Sequence, residues 1–262
     1  MCIVGLKTWL NTYPPPPLPA VSAIFTDPAL VMQRCCSLSD FAIVAALHVG
    51  AGNACVISDD RTRVNCTGTL PDNVISVETT SFVLTGSQLT SVPSAQLAVA
   101  ANLRYLELSF NFKLSTLTND SFSTTPNLEI LILMNNGGLE EIHIGAFKHL
   151  GRLIELFIRG TTVTTLHRSH FTPLTSLKTL LFAFSPVSKT TPDLFTDLVS
   201  LVDFELSACG VISTALTTQS LGLATLPHLD KMFVSLRPRS IYTVGYDHCY
   251  STDLFHTCYL LS

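Results

Sequence analysis

The chain has 262 residues, and only 13% of them are charged, whereas about a quarter is usual in a soluble domain. Its mean hydropathy of +0.41 argues against a disordered polymer, and a net charge of −4 without a basic run argues against nucleic-acid binding. No run of about 18 consecutive apolar residues occurs, so the sequence predicts no membrane span. The apolar excess must therefore be spread regularly along the chain.

The first 54 residues are predicted to precede the fold. Residues 1–31 contain four consecutive prolines at 14–17, which favour an extended conformation, so this stretch is predicted to be a non-structural extension. Residues 32–54 have a basic start at Arg34, an apolar stretch and small residues up to Ala54, which is the pattern of a secretory signal peptide. The alternative is a buried helix over 38–54. Cleavage after Ala54 would place the mature chain in an oxidising compartment.

A repeat occupies the middle of the chain. The pattern L-x-x-L-x-L-x-x-N recurs at intervals of 25, 25, 24 and 24 residues, starting at Leu103, Leu128, Leu153, Leu177 and Leu201. A second series keeps the same phase: Phe122, Phe147, Phe171 and Phe195. Weaker copies begin near Phe82 and Leu229. Because one copy cannot bury its own apolar ridge, the copies are predicted to stack.

These two series resemble the extracellular leucine-rich repeat family with 24-residue repeats. The resemblance implies an α/β solenoid of about seven repeats over 75–241, a curved horseshoe with a parallel β-sheet on its concave face and irregular or short helical segments on its convex side. Asn111 and Asn136 end their strands and are expected to bond unpaired backbone groups there. Thr161, Ser185 and Cys209 take that place later, so Cys209 is expected to be a buried residue of this ladder.

Cysteines lie at both ends of the repeats. Residues 55–74 resemble the N-terminal cysteine cap of extracellular repeat proteins, with a local disulfide between Cys55 and Cys66. In the C-terminal tail, 242–262, Cys249 and Cys258 are predicted to pair. The alternatives there are free thiols or a zinc site with neighbouring histidines. Sequons at Asn65 and Asn119 predict glycosylation, which also fits secretion.

The sequence predicts neither an enzyme nor a cofactor or metal site. It contains no glycine-rich phosphate loop, no H-E-x-x-H and no G-x-S-x-G motif. Four histidines flank the phenylalanine series without a carboxylate at ligand spacing, and they are expected to be exposed on the convex side: His143, His149, His167 and His170.

The concave face is the predicted functional surface. Its central outward positions are apolar and are rimmed by carboxylates, which is typical of a protein-binding site. The predicted partner-binding residues are Tyr105, Glu107, Ile130, Ile132, Met134, Glu155, Phe157, Arg159, Leu181, Asp203 and Glu205. Tyr105, Phe157 and Arg159 are the expected anchors, since aromatic residues and arginine dominate binding hot spots. The alternative is that apolar outward positions merely suit strands.

The resemblance implies a secreted or extracellular module that recognises another protein, as in adhesion or a receptor ectodomain. A secreted inhibitor or matrix scaffold is the second interpretation, and an intracellular repeat scaffold is the third. A transmembrane or anchor segment beyond residue 262 would place the protein at the cell surface. The sequence names neither the partner nor the oligomeric state.

Overall fold

The computed structural model describes residues 54–209, 221–236, 249–252 and 255–259, with side chains over 54–207 and 221–234. All of these residues belong to one structural unit, Leu47–Ser262. The predicted extension over 1–31 and all but the last residue of the predicted signal peptide lie outside the described residues. The side chain of Cys209 lies outside them as well, so its burial stays a prediction.

One eleven-stranded sheet runs through this unit in the order β1-β2-β3-β4-β6-β8-β10-β12-β13-β15-β14. Its strands are β1 (Ala54–Ile57), β2 (Arg63–Thr67), β3 (Ser81–Thr85), β4 (Tyr105–Ser109), β6 (Ile130–Met134), β8 (Glu155–Arg159), β10 (Thr179–Ala183), β12 (Asp203–Cys209), β13 (Lys231–Leu236), β14 (Cys249–Thr252) and β15 (Phe255–Tyr259). Strands β2 to β13 are parallel to one another, and the terminal strands pair antiparallel. The seven predicted repeat strands are confirmed, and β2 adds an eighth parallel strand from the predicted cap.

The opposite side of the solenoid carries only short elements, as predicted for a convex side. Four two-residue strands lie there: β5 (Thr116–Leu117), β7 (Glu141–Ile142), β9 (Thr165–Leu166) and β11 (Lys189–Thr190). They form two separate pairs, β5 with β7 and β9 with β11. Two helices of one turn, α1 (Ser94–Leu97) and α2 (Arg168–Phe171), and a 3-10 helix (Leu223–Thr225) complete the described elements.

The core lies between the sheet and these short elements. Equivalent residues of neighbouring strands stand side by side, so that Leu106, Leu131 and Leu156 form one buried line across the sheet. The phenylalanine series forms a second buried line: the rings of Phe122 and Phe147 lie 6.1 Å apart, and those of Phe171 and Phe195 lie 4.9 Å apart. The stacking that the repeat period predicts is therefore confirmed.

The residue that ends each strand links neighbouring repeats. Asn111 accepts a hydrogen bond from the Ser87 N–H (2.8 Å) through Oδ1 and donates one to the Leu84 carbonyl (3.0 Å) through Nδ2. Asn136 does the same one repeat later, with the Asn111 N–H (2.8 Å) and the Leu108 carbonyl (2.7 Å). The ladder continues with Thr161 and Ser185, whose hydroxyl oxygens lie 2.8 Å apart. The predicted role of the two asparagines is confirmed.

Antiparallel strands close both ends of the parallel sheet. A disulfide joins Cys55 of β1 to Cys66 of β2, as expected for the predicted N-terminal cap. At the other end, the backbone register of β14 and β15 places Cys249 directly opposite Cys258. The bond between these two cysteines stays a prediction, because their side chains lie outside the described ones.

Candidate functional site

The outward residues of the parallel strands form three rows across the concave face. The first row runs through Tyr105, Ile130, Glu155, Thr179, Asp203 and Lys231. The central row runs through Asn65, Val83, Glu107, Ile132, Phe157, Leu181, Glu205 and Phe233. The third row includes Met134, Arg159, Ala183 and Ser207. All eleven predicted partner-binding residues thus lie on one surface.

The centre of this face is less open than the sequence predicts. Phe157 is 2% exposed and Ile132 is 7% exposed, although neither belongs to the main core. They stand side by side on neighbouring strands, and in a parallel sheet such neighbours lie only about 4.8 Å apart, so they cover each other. Ile130, Met134 and Leu181 are half-buried. The expectation of five solvent-facing apolar side chains is therefore wrong for Ile132 and Phe157.

The first row places two carboxylates near each other at one end of the strands. Glu155 and Asp203 flank Thr179 in register, and Lys231 approaches Asp203 to 3.3 Å. Burial, and then the charge of Asp203, raise the pKa of Glu155. This part of the face is therefore anionic, with Lys231 as its counter-charge.

Two further carboxylates of the central row are held by hydroxyl groups. The Tyr105 hydroxyl donates to Glu107 Oε2 (2.9 Å), and burial together with that carboxylate raises the pKa of the tyrosine. The Ser207 hydroxyl donates to Glu205 Oε1 (2.6 Å). Burial raises the pKa of Glu205, while this hydrogen bond and the charge of Arg159 oppose the rise. These groups are fixed before any partner arrives.

The loops that leave the concave strands carry a feature that the sequence interpretation missed. The first residue after β3, β4, β6, β8 and β10 adopts a positive φ: Gly86, Phe110, Asn135, Gly160 and Phe184. Each N–H in this series donates to a carbonyl of the next strand. The acceptor is the last residue of that strand in the first four cases, as from Phe110 to Met134 (2.9 Å), whereas the Phe184 N–H bonds Ser207 within β12. Glycine and asparagine suit this conformation, whereas a phenylalanine costs about 1–2 kcal/mol in it.

We define the aromatic edge as Phe110, Phe112 and Phe184 together with Arg159. Phe112 is 48% exposed and Phe184 is 38% exposed, and they are the only exposed phenylalanines among the described side chains. The Arg159 guanidinium lies 4.4 Å from the centre of the Phe184 ring, and the Phe110 and Phe112 rings meet edge to face at 6.5 Å. The sequence signal that could have revealed this edge is phenylalanine at a position that other repeats fill with glycine or asparagine.

A groove of about 960 Å³ opens on the convex side. It lies between β7 and β9, the two neighbouring convex strands that do not pair with each other. Its lining includes Glu141, His143, His167 and His170. The expectation that the four convex histidines are exposed is wrong for His170, which is 1% exposed; His149 is exposed, and His143 and His167 are half-buried. Its Nδ1 accepts a hydrogen bond from the His167 N–H (3.2 Å), so the ring closes the first turn of α2.

The two predicted glycosylation sites lie on different sides of the solenoid, and both side chains are exposed. Asn65 stands on β2 in register with Val83, at the N-terminal end of the central row. Asn119 lines the convex groove, where its Oδ1 accepts from the Gly145 N–H (3.2 Å). Glycosylation of either residue stays a prediction.

The described residues contain neither a metal-binding cluster nor a membrane helix. No three His, Cys, Asp or Glu side chains come together there in a way that would hold a metal ion. No helix there has the length and apolar content needed to cross a bilayer.

Comparison with known proteins identifies the repeat. The family model for leucine rich repeats matches residues 78–137 and again residues 126–185. No curated protein matches the chain.

Two solved structures share the fold. One is a chain of the Drosophila Toll–Spatzle complex, described as a hub in development and innate immunity: TM-score 0.53, 20% identity, covering 66% of this chain and 23% of that chain. The other is human 5T4 (Wnt-activated inhibitory factor 1, trophoblast glycoprotein): TM-score 0.53, 20% identity, covering 70% of this chain and 80% of that chain. Taken with the observed repeat period, the parallel sheet and the asparagine ladder, the matched family model shows that residues 78–185 of this chain are leucine-rich repeats.

Proposed function

We propose that the protein is an extracellular recognition module that binds another protein through its concave face. The observation that carries this proposal is the concave array itself: four carboxylates on three strands, Arg159 and the aromatic edge all belong to one continuous sheet and its loops. Mixed apolar and charged groups on a rigid frame are typical of protein interfaces. The likeness to a chain of the Toll–Spatzle complex supports a protein partner.

An extracellular location is part of this proposal. The disulfide between Cys55 and Cys66, the predicted signal peptide over 32–54 and the two exposed sequons support it. A secreted inhibitor that uses the same face is the second candidate, and the name of the similar human protein, Wnt-activated inhibitory factor 1, favours it over a matrix scaffold.

Site-specific photocrosslinking tests the concave face directly. The full chain would carry p-benzoylphenylalanine at Leu181, in the central row, or at Val199, a convex residue that is 50% exposed. After incubation with intact cells and conditioned medium, we expect a discrete crosslinked protein from position 181 and none from position 199. Crosslinking from position 199 alone, or from neither position, would overturn the proposal.

A further inference from the structure

We infer that the partner is anchored at the aromatic edge rather than at the centre of the concave face, and that it presents apolar side chains flanked by carboxylates. This inference rests on the proposed function and names the part of the surface and the chemistry that perform it. The aromatic edge takes the place of Phe157 as the anchor, because a side chain that is 2% exposed offers almost no area to a partner.

Backbone geometry is the first argument. Phe110 and Phe184 keep φ values of 59° and 52°, in a conformation that glycine adopts at the equivalent positions of two other repeats. Replacement by glycine or asparagine would remove the strain. An aromatic residue at such a strained position, exposed for Phe184 and half-buried for Phe110, is poorly explained by folding, and such strain clusters at binding sites.

Preorganisation is the second argument. Phe112 lies over Gly137 and Gly138 of the next repeat: a Cβ at Gly138 would overlap the Phe112 carbonyl, and one at Gly137 would lie 3.7 Å from the ring. The Arg159 guanidinium already stacks on the Phe184 ring. It would keep this position in a complex in which it also contacts a carboxylate of the partner. The rings and the guanidinium are thus already placed for contact, which lowers the entropy lost on binding.

The charges around the aromatic edge indicate the chemistry of the partner. The loops over 86–88, 110–113, 135–138, 160–162 and 184–188 contain no Asp or Glu, and Lys113 is their only charged residue. With Arg159 at the end of β8, one cation belongs to the aromatic edge and a second, Lys113, stands beside it; the charge of Arg159 also acts on Glu205 in the central row. The carboxylates of the face lie in the other two rows. Complementarity therefore favours an acidic and apolar contact segment over a basic one.

The spacing of the rings sets the size of that segment. Strands β4 and β10 are three strand spacings apart, so their loops lie roughly 14 Å apart. An extended segment of about five residues spans that distance. A seven-residue peptide with Leu-Phe-Leu at its centre and two glutamates on each side is therefore a suitable probe, and the same peptide with lysines is its matched control.

The test measures the affinity of the full chain for both peptides and repeats the Leu181 crosslinking with edge variants. We expect the glutamate peptide to bind at least tenfold more tightly than the lysine peptide. Phe184→Asn and Phe112→Ser should each weaken its binding at least fivefold and reduce the crosslink yield. Val199→Ser, on the convex side, should change both by less than twofold. Asparagine suits a positive φ, so thermal unfolding should show that Phe184→Asn still folds.

Equal binding of the two peptides, or edge variants that bind like the wild type, would overturn the inference. In one outcome, position 181 crosslinks a protein with the same yield in the wild type and in the edge variants. In that case the inference fails while the proposed function stands. If position 181 crosslinks nothing, the proposed function itself fails.

Discussion

At the scale of single residues, Gly86 and Gly160 occupy the same turn of two repeats with nearly the same φ, 63° and 64°. Their surroundings differ. A Cβ at Gly86 would meet no atom within 4 Å, whereas one at Gly160 would lie 2.7 Å from Asn135 Oδ1 and 3.2 Å from its Cα. The pair therefore separates the cost of backbone strain from the cost of crowding between repeats.

Gly86→Ala is expected to lower the free energy of unfolding by about 1–2 kcal/mol, the cost of a left-handed alanine. Gly160→Ala should cost at least about 1 kcal/mol more, because Asn135 must also move. Urea unfolding of both variants measures the difference. Equal losses would contradict the close approach of Gly160 to Asn135.

The ladder asparagines make a second residue-scale prediction. Asn136→Ala removes the partner of the buried Asn111 N–H and of the Leu108 carbonyl, so we expect a loss of about 2–4 kcal/mol. Asn127→Ala is the matched control, because Asn127 is half-buried and its hydrogen bonds, to the Ala101 carbonyl (3.0 Å) and from Arg152 (2.9 Å), are exposed to solvent. The control should lose less than about 1 kcal/mol. Similar losses from both variants, measured by chemical unfolding, would show that the ladder bonds contribute no more than surface bonds.

At the scale of elements, the convex side breaks between β7 and β9, and His170 lies at that break. Elsewhere the short strands bond directly across repeats, as from the His143 N–H to the Leu117 carbonyl (2.9 Å) and from the Thr191 N–H to the Leu166 carbonyl (3.2 Å). The His167 N–H, at the equivalent position, bonds the ring of His170 instead. The imidazole therefore occupies the place of a direct bond between neighbouring turns.

The buried position of His170 between β7 and β9 makes the stability of the fold depend on pH. Burial, and then the neighbouring His167, lower the pKa of His170 to about 4, against a small opposing effect of the Ile142 backbone. Because the unfolded chain binds the proton more readily, the stabilisation is complete above about pH 6.5, falls as the pH drops towards 4, and changes no further below that. The loss over this window is about 3 kcal/mol.

His170→Gln removes the titrating group, so its free energy of unfolding should fall less than that of the wild type between pH 7 and pH 4. His149→Gln, at an exposed histidine of the preceding repeat, should follow the wild-type curve. Denaturant unfolding at half-unit pH intervals gives all three curves. Parallel curves for the wild type and His170→Gln would contradict the burial of a neutral His170.

At the scale of the whole molecule, the repeat period determines most of what the sequence can predict. The spacing of Leu103, Leu128 and Leu153 predicts the strands, their parallel register and the inward residues, because the period fixes which residues become neighbours. It equally predicts that Tyr105, Glu155 and Arg159 share one face. The period contains no information about how neighbours on that face cover one another, which is why Phe157 was expected to be exposed.

The repeat period also fails to predict the conformation of the loops. Conformation at Phe110 and Phe184 is set by the geometry of the ladder turn, which imposes a positive φ whatever residue occupies the position. The burial of His170 depends on a break between two particular turns rather than on any repeated feature. A regular pattern therefore predicts the strands and the core well, whereas features that depart from the repeat have to be read from the structure.

Hydrogen–deuterium exchange of the full chain, alone and with the protein captured from position 181, tests recognition by the concave face most directly. We predict that binding slows exchange in β4, β6, β8 and β10 and in the loops that follow them, 110–113 and 184–188, with little change in β5, β7, β9 and β11. Slowed exchange confined to those four convex strands would contradict recognition by the concave face.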